Sequence, residues 1–101
     1  MPRSEPVSAA VPWVELATRE ADWKGADAGL LRTMLVSLHL IRAFEEAVLD
    51  LVGKGLVHGP AHSSIGQEGG AVASALPLRA ADQINGSHRA HHQFLAKVLH
   101  Y

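Results

Sequence analysis

The stretch LLRTMLVSLHLIRAFEEAVLDLVGKG, residues 30–55, decides the fold class. Met34, Leu38, Ile41, Val48 and Val52 recur at spacings close to 3.6 residues, with Leu31 and Phe44 widening the stripe. That period is the mark of one amphipathic helix with an apolar face to bury. Asp27 stands where an N-cap is needed, and Gly53 and Gly55 stand where the helix must stop. Arg42 and Glu46 lie one turn apart on the polar side, where they can pair weakly.

Working outward, the chain divides into short helical pieces joined by breakers. Residues 1–12 are rich in Pro, Ser and Ala and read as a tail. WVELATREADW (13–23) has Trp13, Leu16 and Ala17 on one side of a possible short helix, and KGADAG then interrupts it. Downstream, Gly59 and Pro60 break any helical register in LVHGPAH (56–62), which predicts a loop. SIGQEGGAVASAL (64–76) reads as a second helix, with Ser64 and Gln67 at capping-box spacing and Pro77 at its end. Its Ala and Gly content gives a thin surface, suited to close packing. DQINGS (82–87) fits a turn or a brief strand. Ser87 can then cap a third helix with Phe94, Leu95 and Val98 as its apolar face. The expected class is mainly α, with three helices and at most one short strand, over residues 27–101, after a mobile segment spanning 1–26.

Bulk properties narrow the function classes. The chain has 101 residues, 48% of them hydrophobic and 19% charged, enough for one modest core. A net charge of −1 gives no electrostatic reason to expect nucleic acid or an anionic membrane as partner. There is no cysteine, so neither a disulfide scaffold nor a thiolate metal site is available. The N-terminus lacks the apolar run of a signal peptide, its acidic residues argue against an organellar transit peptide, and no segment approaches the ~20 apolar residues of a membrane span. A cytoplasmic location is the expectation.

Six of the seven histidines lie at or beyond His58, which places any chemistry in the second half. Two pairs have a four-residue spacing that suggests metal ligands. His88 and His92 would share a helical face, but no Glu follows the first His and no third ligand is near. His58 and His62 are separated by the glycine and proline that destroy the geometry. Exposed histidines are the simpler account, and no metal ligand is assigned. An anion is the other reading. The third helix would open on HRAH (88–91), and basic groups at a helix N-terminus oppose the macrodipole unless something negative offsets them. A phosphate or diphosphate held by Ser87, Arg89 and free amides would do so; a solvated first turn tolerating the repulsion is the plain alternative. His62, in its loop ahead of the second helix, can serve as an acid/base or carboxylate-polarising group, or as an ordinary surface residue.

Four stretches in order, LIRAFEEAVLDLVGKGLVHG, AHSSIGQEGGAVASAL, the Asp82 turn and GSHRAHHQFLAK, resemble the alpha subunits of thiamine-diphosphate-dependent 2-oxo acid dehydrogenases of the pyruvate, branched-chain and acetoin type. The resemblance covers about residues 30–99. It implies the N-terminal portion of an α/β thiamine-diphosphate-binding fold, with His88 and Arg89 at the cofactor's diphosphate and His62, as the catalytic histidine, beside the substrate and the reacting thiazolium. His91 matches a recurrent family histidine. The implied chemistry is decarboxylation of a 2-oxo acid with acyl transfer to a lipoyl group, or acetoin cleavage, with magnesium on the diphosphate. The implied partners are a beta subunit or fused beta domain, the lipoyl-bearing acyltransferase and the 2-oxo acid, in an oligomer. The family's GDG motif, its downstream Asn and the activating glutamate of the beta part do not occur in these residues. The expectation is therefore a truncated portion of a longer enzyme, inactive alone. The alternative is a small non-catalytic helical module whose long amphipathic helix binds a partner chain.

Overall fold

The computed structural model describes residue 8 and residues 10–101, and contains four helices in the order α1 (Glu20–Lys24), α2 (Ala28–Gly53), α3 (Glu68–Ala75) and α4 (His91–His100). No strand occurs among the described residues, and no helix there is long and apolar enough to cross a membrane. The mainly helical expectation holds, with one helix more than the three expected.

α2 forms where the periodicity places it, and both ends are chemically specified. Asp27 Oδ2 accepts the Leu30 amide at 2.7 Å, satisfying a first-turn donor. At the other end Gly55 adopts φ +71°, and the Gly55 and Leu56 amides donate to the Val52 and Leu51 carbonyls, both at 3.0 Å. That is the paired closure of a Schellman turn, in which a left-handed glycine ends the helix at low steric cost.

α1, the additional helix, takes up only the end of the 13–23 stretch read as a possible short helix. Residues 12–19 form no helix, and Trp13 and Leu16 stand almost fully exposed. With no neighbour to bury an apolar face, so short a helix does not persist on propensity. Only the turn that Asp22 closes, by accepting the Arg19 amide at 2.8 Å, survives. Of the mobile segment expected over 1–26, residues 1–7 and 9 lie outside the described residues.

α2, α3 and α4 pack on one another. Their core is Ile41 from α2, Ala71, Val72 and Ala75 from α3, and Ala96 from α4, flanked by Met34, Leu38, Leu76 and Leu95. Small residues on α3 let the helix backbones approach closely, as its composition suggested. α3 starts at Glu68, not Ser64, because Gly66 at φ +95° interrupts the chain there. The expected Ser64–Gln67 capping box does not form: Ser64 is drawn into the interior and α3 has no side-chain cap. Arg42 likewise turns from Glu46 to Glu68, with Nε 2.5 Å from Oε1 and Nη2 3.4 Å from Oε2. A bidentate contact to a buried carboxylate outcompetes an exposed pair on the same helix.

α4 begins three residues later than expected. Ser87 Oγ accepts the Arg89 amide at 3.2 Å within a turn, and the helical ladder opens with Phe94 N donating to Ala90 O at 3.0 Å. Ala90, not Ser87, is the N-cap. The buried face carries His92, Leu95 and Ala96, whereas Phe94 and Val98, expected to be apolar anchors, are 64% and 54% exposed. His92 is buried, contrary to the surface reading of its spacing, and because His88 lies outside the helix the two never share a helical face.

Candidate functional site

The loop between α2 and α3 and the turn before α4 bring together histidines that are distant in sequence. The His62 and His88 rings meet edge to face with centroids 4.8 Å apart. Both are exposed, at the mouth of a hollow of about 230 Å³ whose walls are Phe44, Val48, Pro60, Ala61, His62, His88 and His91. Arg89 is exposed, and its guanidinium makes no hydrogen bond or ion pair among the described residues. Of the three residues singled out from sequence, His62 and His88 thus share one rim, and Arg89 follows His88 in the chain.

Beneath the rim is a buried polar cluster. Glu45, 1% exposed, projects from α2 into the apolar stripe. Its Oε2 accepts the Ser64 amide at 2.9 Å, and its Oε1 contacts His91 Nδ1. His91 Nε2 lies 3.0 Å from the His62 carbonyl and 3.5 Å from Ser64 Oγ, which donates to the Arg89 carbonyl at 3.3 Å. The order Glu45, His91, Ser64 has the outline of a nucleophilic triad. Ser64 is 0% exposed, however, so no substrate carbonyl can reach its hydroxyl. The cluster can hold backbone in place; it cannot attack.

Glu45 also alters the electrostatic argument about α4. His91 and His92 fill the first turn, with no acidic residue in it. The negative group that such a start calls for is supplied in part by Glu45, against His91. The helix terminus alone therefore does not demand a bound anion. The unsatisfied positive charge is Arg89, with His88 next to it, both just ahead of the helix.

Among the described residues no group of three or more His, Cys, Asp or Glu is arranged to hold a metal ion. Donor chemistry around His88 does suit an anion: His88 offers a ring nitrogen and its chain neighbour Arg89 an exposed guanidinium fork. The second carboxylate of note, Glu68, is held at about 2, first by the hydrogen bond from Arg42 and further by the Gly66 amide, against the opposing effect of burial. It ties α2 to the start of α3 and faces a different hollow, with Leu35, Leu38 and His39.

Sequence reasoning missed Glu45. The available signal was its position: counting from Met34, Leu38 and Ile41, residue 45 falls on the apolar stripe, where a carboxylate needs a partner. A wider hollow of about 450 Å³ lies away from this rim, lined by Ile84, Gly86, Ala90, Gln93, Phe94, Lys97, Val98 and Tyr101. It is almost wholly apolar, and the Lys97 ammonium there donates to the Asp82 carbonyl. Compared with family profiles, curated proteins and solved structures, the chain gave no match.

Proposed function

We propose that these residues are the N-terminal portion of a thiamine-diphosphate-dependent 2-oxo acid dehydrogenase alpha subunit, belonging to an α/β cofactor-binding fold completed by chain outside the 101 residues. The observation that carries the reading is the convergence of His62 and His88, 26 positions apart, with the exposed Arg89 next to His88 in the chain. In this assignment Arg89 and His88 hold the diphosphate and set its orientation. His62, across the hollow, presents an imidazole to the substrate carboxylate and can hold or pass a proton at a ring nitrogen. Phe44, Val48 and Pro60 give the hollow an apolar wall beside the two rings. Thiamine diphosphate, when bound, supplies the electron sink for loss of carbon dioxide from the 2-oxo acid. Magnesium ligands, the beta part and the lipoyl-bearing acyltransferase belong outside these residues, in a cytoplasmic oligomer.

The test is cofactor binding by the parent enzyme assembled with its beta part, followed by calorimetry with thiamine diphosphate and magnesium. Arg89→Ala is expected to weaken binding about 10- to 100-fold, the loss of one charge-assisted hydrogen-bonding fork. Unchanged affinity refutes the assignment, and no turnover of any 2-oxo acid or acetoin with an artificial electron acceptor refutes the reaction.

A second reading, a non-catalytic helical module that binds a partner chain, draws on the apolar side chains left exposed on α2 (Leu35, Val36, Leu40) and α4 (Phe94, Val98, Leu99). The reading frame beyond codon 101 separates the two. A continuation with GDG and a later Asn favours the enzyme, and a stop with a well-folded product favours the module.

A further inference from the structure

We propose that Glu45 and His91 act as a positioning pair that fixes the His62 loop against His88. The loop has little else to hold it. Residues 56–64 contain no regular secondary structure, Gly59 sits at φ +88° and Pro60 follows. Its tethers to the rest of the molecule converge on this pair. The His62 carbonyl receives the His91 ring at 3.0 Å, and two residues later the Ser64 amide reaches Glu45 at 2.9 Å. Ser64 Oγ then reaches the Arg89 carbonyl, so the strip bearing His88 and Arg89 is tied to the same point.

Proton placement follows from the partners. A backbone carbonyl only accepts, so His91 Nε2 carries a proton. Nδ1 faces Oε1 of the Glu45 carboxylate. With Glu45 fully enclosed on α2 and His91 at the first residue of α4, the pair sets the distance between two helices. It also sets the place of a loop residue that belongs to neither helix. His62 and His88 are thereby fixed through their backbones and their rings left free to act. The consequence for turnover rests on the proposed role of His62; the geometry does not.

The test uses the 101-residue chain, ¹⁵N-labelled and read by long-range ¹H–¹⁵N correlations and by ring-proton contacts between His62 and His88. In the wild type, His91 Nε2 is protonated and the ring contacts are seen. His91→Leu and Glu45→Leu abolish the contacts while helical circular dichroism is retained. His91→Gln, whose amide can donate to the His62 carbonyl, preserves them. So does Glu45→Gln, which can accept from Ser64 and donate to Nδ1. A bare Nε2 in the wild type, or ring contacts that survive both leucine variants, overturns the proposal. Should the leucine variants lose their helical signal, the wild-type Nε2 proton and the two glutamine variants decide it. In the parent enzyme His91→Leu lowers kcat about 10- to 100-fold with KM nearly unchanged, and an unchanged kcat overturns the catalytic consequence. A parent that binds no thiamine diphosphate overturns the functional reading and leaves the ring contacts as they are.

Discussion

Replacing Arg42 with Gln removes a part of the stability that depends on acid, and its size can be worked from the contact. Glu68 is buried at the start of α3 and, chiefly through Arg42, is held at about 2 instead of its ordinary 4.5. A displacement of that size corresponds to at most about 3 kcal/mol of preference for the charged carboxylate in the fold. The Arg42 side chain is 44% exposed, and water screens the pair from that side, which brings the contribution to about 1 kcal/mol. A lowered carboxylate stabilises the fold fully above the unfolded-state value. The contribution fades as pH falls from about 4.5 towards 2 and is absent below that. Urea titrations of wild type and Arg42→Gln between pH 7 and pH 3 isolate it, because every other titrating group is common to both proteins. The gap is expected to be about 1 kcal/mol at pH 7, or some 4–8 °C in Tm, and to narrow steadily below pH 4.5. A gap that stays constant to pH 3, or widens, refutes the reasoning.

Two further substitutions test the packing. Ile41→Ala, at the fully buried centre of the core, is expected to cost about 2–4 kcal/mol in urea unfolding; a loss below about 1 kcal/mol would show that the helices are not packed around it. Gly86→Ala would place a Cβ 2.5 Å from both Ala90 Cβ and Gln93 Oε1, so a loss of about 1–3 kcal/mol is expected. Gly53→Ala, with nothing within 4 Å, serves as the control and should cost nothing in the same melts.

What the sequence disclosed follows the range of the forces involved. α2 was legible from end to end, because its stripe, its aspartate cap and its glycine stop are all local to it. The starts of α3 and α4 were misplaced because Ser64 and Ser87 both carry the look of a cap. Ser64 instead serves partners 19 and 25 residues away, and only the fold brings those within reach. Glu45 was hidden by the same cause. A single carboxylate in an apolar stripe reads as a lapse in the pattern until His91, 46 positions on, is set against it. Phe94 and Val98 show the converse error: an apolar face was readable, but which face of α4 meets α3 depends on the small residues of α3, and those select Ala96 and His92. His62, His88 and Arg89 were nameable from residue type and order, while the meeting of the His62 and His88 rings is a property of the tertiary fold alone.

The brevity of α3 has a consequence for cooperativity. Eight residues, two of them glycine, are well below the length at which a helix persists in water. Its order is borrowed from α2 and α4, through the side chains it buries and the grip of Arg42 on its first residue. Neither longer helix can withdraw while α3 stays wound, and α3 cannot unwind without exposing the inner faces of both. Amide protons along α3 are therefore set to exchange with solvent only when the three-helix unit opens as a whole, which makes the smallest element the reporter of global unfolding.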